Sequence, residues 1–122
     1  MVAMTVTIFH NPNCGTSRNV LQMIRDTGVE PQVIEYLKTG WTAEGLKALL
    51  AEAGLTPRKA MRTKGEAVAA LIAELGLVEA DISDDAILAA MVEHPVLVER
   101  PFVRTPKGTV LARPKETALE VL

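Results

Sequence analysis

The spacing of apolar residues changes along the chain, and each change predicts a new element. Met4 to Phe9 mixes Thr with Val, Ile and Phe, which is typical of a strand. From Thr16 to Thr27 apolar residues recur on one helical face, and Gly28 suits the position after a helix. Gln32 to Tyr36 then predicts a second strand. This order predicts a βαβ unit with parallel strands and a right-handed crossover.

Four helical segments follow, and each has a start or stop signal. They run from Thr42 to Gly54, from Thr56 to Met61, from Val68 to Gly76, and from Ser83 to the His94-Pro95 pair. A hydroxyl side chain before the first turn accepts a backbone N–H, so Thr42, Thr56 and Ser83 are predicted N-caps. Glycine suits the position after a helix, where the backbone is often left-handed, so Gly54 and Gly76 are predicted stop signals.

The last part of the chain returns to the spacing of strands. Pro101 to Val103 and Thr109 to Leu111 lie on either side of "TPKG", which predicts a hairpin, and Pro114 begins a last short helix. The order βαβ, helices, ββα predicts an α/β thioredoxin-like fold with a helical insertion at about residues 42–94. We predict one domain spanning residues 1–122.

Composition narrows the classes of protein to consider. The chain carries 13 Lys and Arg against 15 Asp and Glu, a net charge of −2, which argues against a nucleic-acid binder. No apolar run approaches the roughly 20 residues of a membrane span, and no secretory signal is evident. A single cysteine cannot form an internal disulfide, so we predict a reducing, cytoplasmic location without membrane partners.

That cysteine, Cys14, lies in the loop "HNPNCG" between the first strand and the first helix. Ligands of parallel α/β units gather where strands end and helices begin. A helix N-terminus also lowers a thiol pKa, so Cys14 is a candidate nucleophile; the alternative is an inert, buried small side chain. Gly15, Thr16 and Ser17 offer backbone N–H groups that can bind an oxyanion, and the hydroxyls of Thr16 and Ser17 can serve as further donors.

Several other kinds of site are excluded by residues near Cys14. Ser17 occupies the position of the second cysteine in a C-x-x-C pair, which excludes dithiol exchange within the loop. Val20 occupies the arginine position of the phosphatase loop C-x5-R, which excludes a phosphatase-like site. No metal-ligand spacing, and no glycine fingerprint of a dinucleotide or phosphate loop, is present. His10, four residues before Cys14, either supports a thiolate or forms a hydrogen bond that shapes the loop.

An oxyanion beside Cys14 then needs arginines from elsewhere in the chain. Arg62 follows a short predicted helix, whereas Arg100 and Arg113 flank the predicted hairpin. Each of the three, taken by itself, is more typical of a surface charge than of a ligand. The hairpin strands pack beside the first strand in this fold, which favours Arg100 and Arg113 as ligands.

Five segments of the sequence resemble one family from end to end, in order and without large gaps. They are "FHNPNCGTSRN", "EYLKTG", "LTPRKAMRTK", "DDAILAAMVEHPVLVERPFV" and "TPKGTVLARP". Together they resemble the glutaredoxin-dependent ArsC-type arsenate reductases. The resemblance implies a thioredoxin-like core with a helical insertion, and it places the cis-proline of that fold at Pro101.

The resemblance also implies roles for individual residues. The family's catalytic cysteine corresponds to Cys14, and the histidine that supports its thiolate corresponds to His10. The three anion-binding arginines correspond to Arg62, Arg100 and Arg113. The implied reaction is attack of the thiolate on arsenate with loss of water, followed by attack of glutathione on the adduct. Glutaredoxin then reduces the mixed species and arsenite leaves.

No bound cofactor is implied, because glutathione is a co-substrate and glutaredoxin a partner. Two alternatives remain within the same fold. A regulator of the Spx type binds RNA polymerase and typically has C-x-x-C in this loop, which Ser17 argues against. The second is a glutathione-dependent thiol reductase without arsenate activity, which only an assay separates.

Overall fold

The computed structural model describes residues 5–79 and 81–122 of the chain. They form two compact units. The first holds the described residues up to Thr39 together with those from Arg100 to Leu122, and the second holds Gly40–Glu99. The second unit corresponds closely to the predicted insertion, while the single-domain boundary stays a prediction. No helix within these ranges is long and apolar enough to cross a membrane.

The first unit contains a four-stranded mixed sheet in the order β2-β1-β3-β4. Its strands are β1 (Thr7–Phe9), β2 (Gln32–Ile34), β3 (Phe102–Thr105) and β4 (Gly108–Leu111). β1 runs parallel to β2 and antiparallel to β3, and β3 and β4 form the predicted hairpin. β1 is shorter than predicted at its start, where Met4 lies outside the described residues.

Helix α1 (Gly15–Asp26) is the crossover between β1 and β2. Its inner face carries Val20 and Ile24, both fully buried in one core cluster with residues of the sheet and of the C-terminal 3-10 helix (Lys115–Glu120). Gly28 follows α1 with a φ of 89°, a left-handed conformation that glycine adopts without a Cβ clash. The predicted βαβ unit is therefore confirmed.

The second strand ends earlier than predicted. β2 stops at Ile34, and Tyr36 begins a short helix, α2 (Tyr36–Thr39). The carbonyl of Glu35 accepts the N–H groups of Lys38 and Thr39, which closes this turn. Tyr36 is 1% exposed. Tyr36 is thus buried although it lies in a helix. The strand-like pattern at this position therefore indicated burial, not a strand.

The second unit contains α3 (Ala43–Glu52), α4 (Pro57–Ala60), α5 (Glu66–Leu75) and α6 (Asp84–Glu93), followed by a 3-10 turn (Pro95–Leu97). The three predicted N-caps are confirmed. Thr42, Thr56 and Ser83 each accept the backbone N–H three residues later, at 3.0, 3.2 and 3.1 Å. The unit's core is aliphatic, with Leu46, Leu49, Ile87, Met91 and Leu97 fully buried.

A side chain that no sequence pattern singled out closes the loop between α5 and α6. The guanidinium of Arg58, on α4, donates to the backbone carbonyls of Leu77, Glu79 and Ile82 at 3.4, 3.1 and 3.2 Å. A planar group with several N–H donors can satisfy several carbonyls at once. Arg58 therefore holds this loop against α4.

Candidate active site

The Cys14 thiol lies at the start of α1, where it is the N-cap residue. Its backbone N–H donates to the carbonyl of Asn11 at 3.0 Å, and its own carbonyl accepts the N–H of Arg18 at 3.0 Å. The first bond closes the loop after β1, and the second is the first hydrogen bond of the helix. Cys14 is 8% exposed. The thiol is thus held in a partly enclosed position at a helix N-terminus.

Several groups act on the pKa of this thiol, and they act in opposite directions. Burial raises the pKa of Cys14. The backbone N–H of Ser17 lowers it most, followed by the charge of Arg100, a hydrogen bond from Arg113 and the backbone N–H of Thr16. The groups that stabilise the thiolate outweigh burial, so the pKa lies below its ordinary value. A larger fraction of the sulfur is therefore thiolate at neutral pH.

Two of the predicted arginines meet beside Cys14. Arg113 Nη1 lies 3.8 Å from the Cys14 sulfur and donates to the carbonyl of Arg100 at 3.2 Å. The register of the hairpin explains this meeting, because Phe102 pairs with Leu111. Arg100 and Arg113 lie two residues beyond that pair, at the same end of the sheet. The peptide bond before Pro101 is cis, and so is the one before Pro114.

His10 contacts the helix through Ser17. His10 is 5% exposed, and its Nδ1 lies 2.6 Å from the Ser17 hydroxyl. Burial lowers the pKa of His10, Glu35 raises it, and Arg25 and Arg18 lower it; the net pKa is below its ordinary value. The neutral imidazole is therefore favoured at pH 7. This geometry favours the hydrogen bond that shapes the loop.

The three residues after Cys14 differ in what they offer to an anion. Gly15 is exposed and opens the helix, and the N–H groups of Thr16 and Ser17 act on the sulfur. The Ser17 hydroxyl, fully buried, accepts the N–H of Asn11 at 3.0 Å and pairs with His10. The Ser17 hydroxyl is therefore occupied by contacts within the loop, whereas the sequence led us to expect it to donate to an oxyanion.

Asn11 is a buried loop residue that the sequence analysis missed. It is 5% exposed, and its Oδ1 accepts the N–H of Asn13 at 2.9 Å. An available signal was the Asn-Pro pair, since Asn side chains often bond to the backbone two residues on. Asn11 therefore belongs to the framework of the site.

The third predicted arginine, Arg62, belongs to the second unit. Its backbone N–H donates to the carbonyl of Leu97 at 2.7 Å. Its side-chain Nε is buried and has no hydrogen-bond partner among the described residues. A buried donor without an acceptor is costly, so Arg62 is suited to receive an acceptor from a ligand.

The described ranges contain no group of three or more His, Cys, Asp or Glu side chains arranged to hold a metal ion. The chemistry that this site can supply is that of a thiolate beside guanidinium groups and backbone N–H donors. Such a set combines a nucleophile with donors for an oxyanion.

Comparison with known proteins gives concordant matches. The chain is 55% identical over 119 residues to an arsenate reductase of Rhizobium meliloti, which covers 98% of this chain and 82% of the relative. It is 53% identical over 122 residues to the arsenate reductase ArsI1 of Synechocystis sp., covering 100% and 82%. The solved structure of an arsenate reductase from Vibrio cholerae superposes with a TM-score of 0.90 at 45% identity, covering 99% and 100%.

These matches agree with the fold derived above. The mixed four-stranded sheet with its helices has the α/β thioredoxin-like fold that the sequence predicts. The model of the ArsC family matches residues 9–121, a range that includes the Cys14 loop and both hairpin strands. This chain belongs to the ArsC family.

Proposed function

We propose that this protein is an arsenate reductase in which Cys14 is the nucleophile. The observation that carries the proposal is a thiol at a helix N-terminus, with its pKa lowered and the Arg113 guanidinium 3.8 Å from the sulfur. Relatives at 53% and 55% identity over nearly the whole chain are arsenate reductases by name. A thiolate beside cations suits attack on an anionic substrate.

In the first step, the Cys14 thiolate attacks the arsenic atom of arsenate. A sulfur–arsenic bond forms, an arsenic–oxygen bond breaks, and the oxygen leaves as water after protonation. Arg100, Arg113 and the N–H groups of Thr16 and Ser17 hold the remaining oxygens. Guanidinium groups donate two parallel hydrogen bonds, which fits a tetrahedral oxyanion better than an ammonium does.

Arg62 is the third proposed anion ligand. The resemblance to the family supports this role, and so does its buried Nε, which lacks a partner among the described residues. His10 is proposed to support the thiolate indirectly, through its contact with Ser17. Ser17 in turn presents its backbone N–H to the sulfur.

In the second step, arsenic passes from the +5 to the +3 state, which takes two electrons. Glutathione attacks the arsenic of the adduct, and a second arsenic–oxygen bond breaks with loss of water. A glutaredoxin thiolate then attacks the glutathione sulfur, so the bond from that sulfur to arsenic breaks and its electron pair stays on arsenic. The two external thiols end as a disulfide. Water attacks the As(III) that remains on Cys14, the sulfur–arsenic bond breaks, arsenite leaves, and the Cys14 thiolate is restored. These 122 residues carry one cysteine, so no second thiol among them can take this part. The chemistry suits a reducing, cytoplasmic location.

The test is oxidation of NADPH that depends on arsenate, in the presence of glutathione, glutaredoxin and glutathione reductase. The wild type should turn over, and Cys14→Ser should lose at least about a hundredfold in kcat, as removal of a nucleophile does. Ser keeps the size of the side chain, so the variant should fold. Residual activity within tenfold of the wild type would contradict the role of Cys14.

A parallel measurement separates the remaining alternative. The coupled assay is run without glutaredoxin, which reduces such disulfides itself, and with a mixed disulfide of glutathione and a small thiol in place of arsenate. A wild-type protein that reduces this disulfide and leaves arsenate unchanged is a thiol reductase, and the proposal of arsenate reduction is then wrong.

A further inference from the structure

Three hydrogen bonds of one residue, Asn11, shape the loop that carries Cys14. Its side-chain Oδ1 accepts the N–H of Asn13 at 2.9 Å, and its carbonyl accepts the N–H of Cys14 at 3.0 Å. Its own N–H donates to the Ser17 hydroxyl at 3.0 Å. Asn11 thus bonds to the turn, to the nucleophile and to the first turn of α1.

The bond from the side chain is the one that depends on residue type. Residues 11–14 form a turn closed between the Asn11 carbonyl and the Cys14 N–H, with Pro12 in its second position. An Asn at the first position adds a side-chain bond to the backbone two residues on, which narrows the conformations of the turn. Alanine at this position keeps both backbone bonds but loses that restraint.

Burial makes the side-chain bond effective. Asn11 is 5% exposed, so water reaches its amide group only in part. The bond between the Asn11 side chain and the Asn13 N–H is part-buried, so water competes with it less than with a fully exposed bond. This contact restrains the turn in addition to the Arg18 guanidinium of α1, which donates to the Pro12 carbonyl at 2.9 Å.

We propose that Asn11 is a positioning residue for Cys14: its side chain holds the turn that places the sulfur at the N-terminus of α1. Asn11 acts through the turn and through Ser17, whose N–H contacts the sulfur. Loss of the side chain lets the turn relax, and the sulfur then spends less time against the N–H groups that stabilise its thiolate. The link to catalysis rests on the proposed function.

The experiment is alkylation of Cys14 by iodoacetamide, followed as a function of pH in wild type, Asn11→Ala, Asn11→Ser and Asn13→Ala. Asn13 is exposed, and its backbone N–H, which Asn13→Ala keeps, is what Asn11 uses. Asn13→Ala is therefore the matched control. His10, Arg18, Arg100 and Arg113, ionisable groups around Cys14 and its turn, are the same in every variant.

We expect Asn11→Ala to raise the pH midpoint and to slow alkylation at pH 7 by about two- to tenfold, the range of one lost hydrogen bond. Asn11→Ser keeps a shorter acceptor and should fall between Asn11→Ala and wild type. Asn13→Ala should stay within about twofold of wild type, a change smaller than that of a typical hydrogen bond. Unchanged circular dichroism checks that each variant is folded.

A midpoint of Asn11→Ala equal to that of Asn13→Ala would overturn the positioning role. Should Asn11→Ala fail to fold, Asn11→Ser against Asn13→Ala decides in the same way. Iodoacetamide needs no arsenate, so failure here leaves the arsenate reductase proposal standing. Conversely, a wild type that is inactive on arsenate leaves the alkylation result interpretable.

Discussion

The sulfur of Cys14 is placed under two opposing influences, burial and a set of hydrogen-bond donors and cations. Cys14 is 8% exposed, and this burial disfavours the thiolate, whereas the Ser17 N–H, Arg100 and Arg113 favour it. The donors prevail because they surround the sulfur from the helix and from the hairpin. The reactivity of this residue is therefore a property of its neighbours.

The first prediction concerns this balance. The alkylation midpoint of wild-type Cys14 should lie below about 8.5, the ordinary pKa of cysteine. Arg113→Gln should raise it, because the variant removes the charge 3.8 Å from the sulfur. Lys107→Gln, at the turn end of the same hairpin, is the matched control and should leave the midpoint unchanged. A wild-type midpoint at or above 8.5 would contradict an activated thiol.

The second prediction concerns the anion. Arg113→Ala should lower kcat/KM for arsenate. The ratio of the wild-type and variant values should correspond to a loss of about 2–4 kcal/mol of transition-state stabilisation, by analogy with loss of an oxyanion donor. Arg113→Lys keeps the charge without the paired donors and should recover part of that loss. Sulfate should inhibit the wild type more than either variant. Arg62→Ala and Arg100→Ala are measured in the same way. A kcat/KM equal to that of the wild type in all three alanine variants would exclude the arginines as ligands.

At the scale of elements, the helices of the second unit depend on local capping. The Ser83 hydroxyl accepts the N–H of Ala86 at 3.1 Å, and Asp84 and Asp85 follow in the first turn of α6. Carboxylates there interact favourably with the helix dipole. The start of α6 is thus stabilised by three consecutive side chains.

The third prediction tests this cap. Ser83→Ala should lower the free energy of unfolding by about 1 kcal/mol, since one N–H of the first turn loses its acceptor. Ser83→Asn supplies another acceptor and should remain close to wild type. Urea denaturation followed by circular dichroism measures both. Equal losses in the two variants would show that the hydroxyl itself, and not the cap, is needed.

At the scale of the whole molecule, one buried titratable group links stability to pH. His10 is 5% exposed and its pKa is lowered by burial. Below about pH 6.5, the ordinary pKa of histidine, the unfolded chain therefore binds a proton that the folded protein resists. Stability from this group is present above that pH and is lost as the pH falls toward the folded pKa.

The fourth prediction follows from this sign. Between pH 7 and pH 5, wild type should lose more of its free energy of unfolding than His10→Asn, which cannot titrate. The difference in slope between the two, measured by urea denaturation, isolates the histidine from the carboxylates that both share. Parallel curves for the two proteins would contradict a lowered pKa.

The sequence by itself determined the elements whose signals are local. Thr42, Thr56 and Ser83 cap helices because a hydroxyl and an N–H three residues away meet whenever a helix starts there. The position of Cys14 at the start of α1 followed in the same way from a strand, a turn and a helix in succession. Arg100 and Arg113 were favoured as candidate ligands by their place beside the predicted hairpin, whereas Arg62 was assigned by the resemblance to a family.

Only the tertiary structure decided which distant groups meet. Arg113 reaches Cys14 across 99 positions because the register of the hairpin brings it to the same end of the sheet as Arg100. The Ser17 hydroxyl is occupied by His10 and Asn11, which no pattern of residue types reveals. Local hydrogen bonds depend on neighbours in sequence, whereas burial, pKa and convergence depend on packing between segments that only the folded chain brings together.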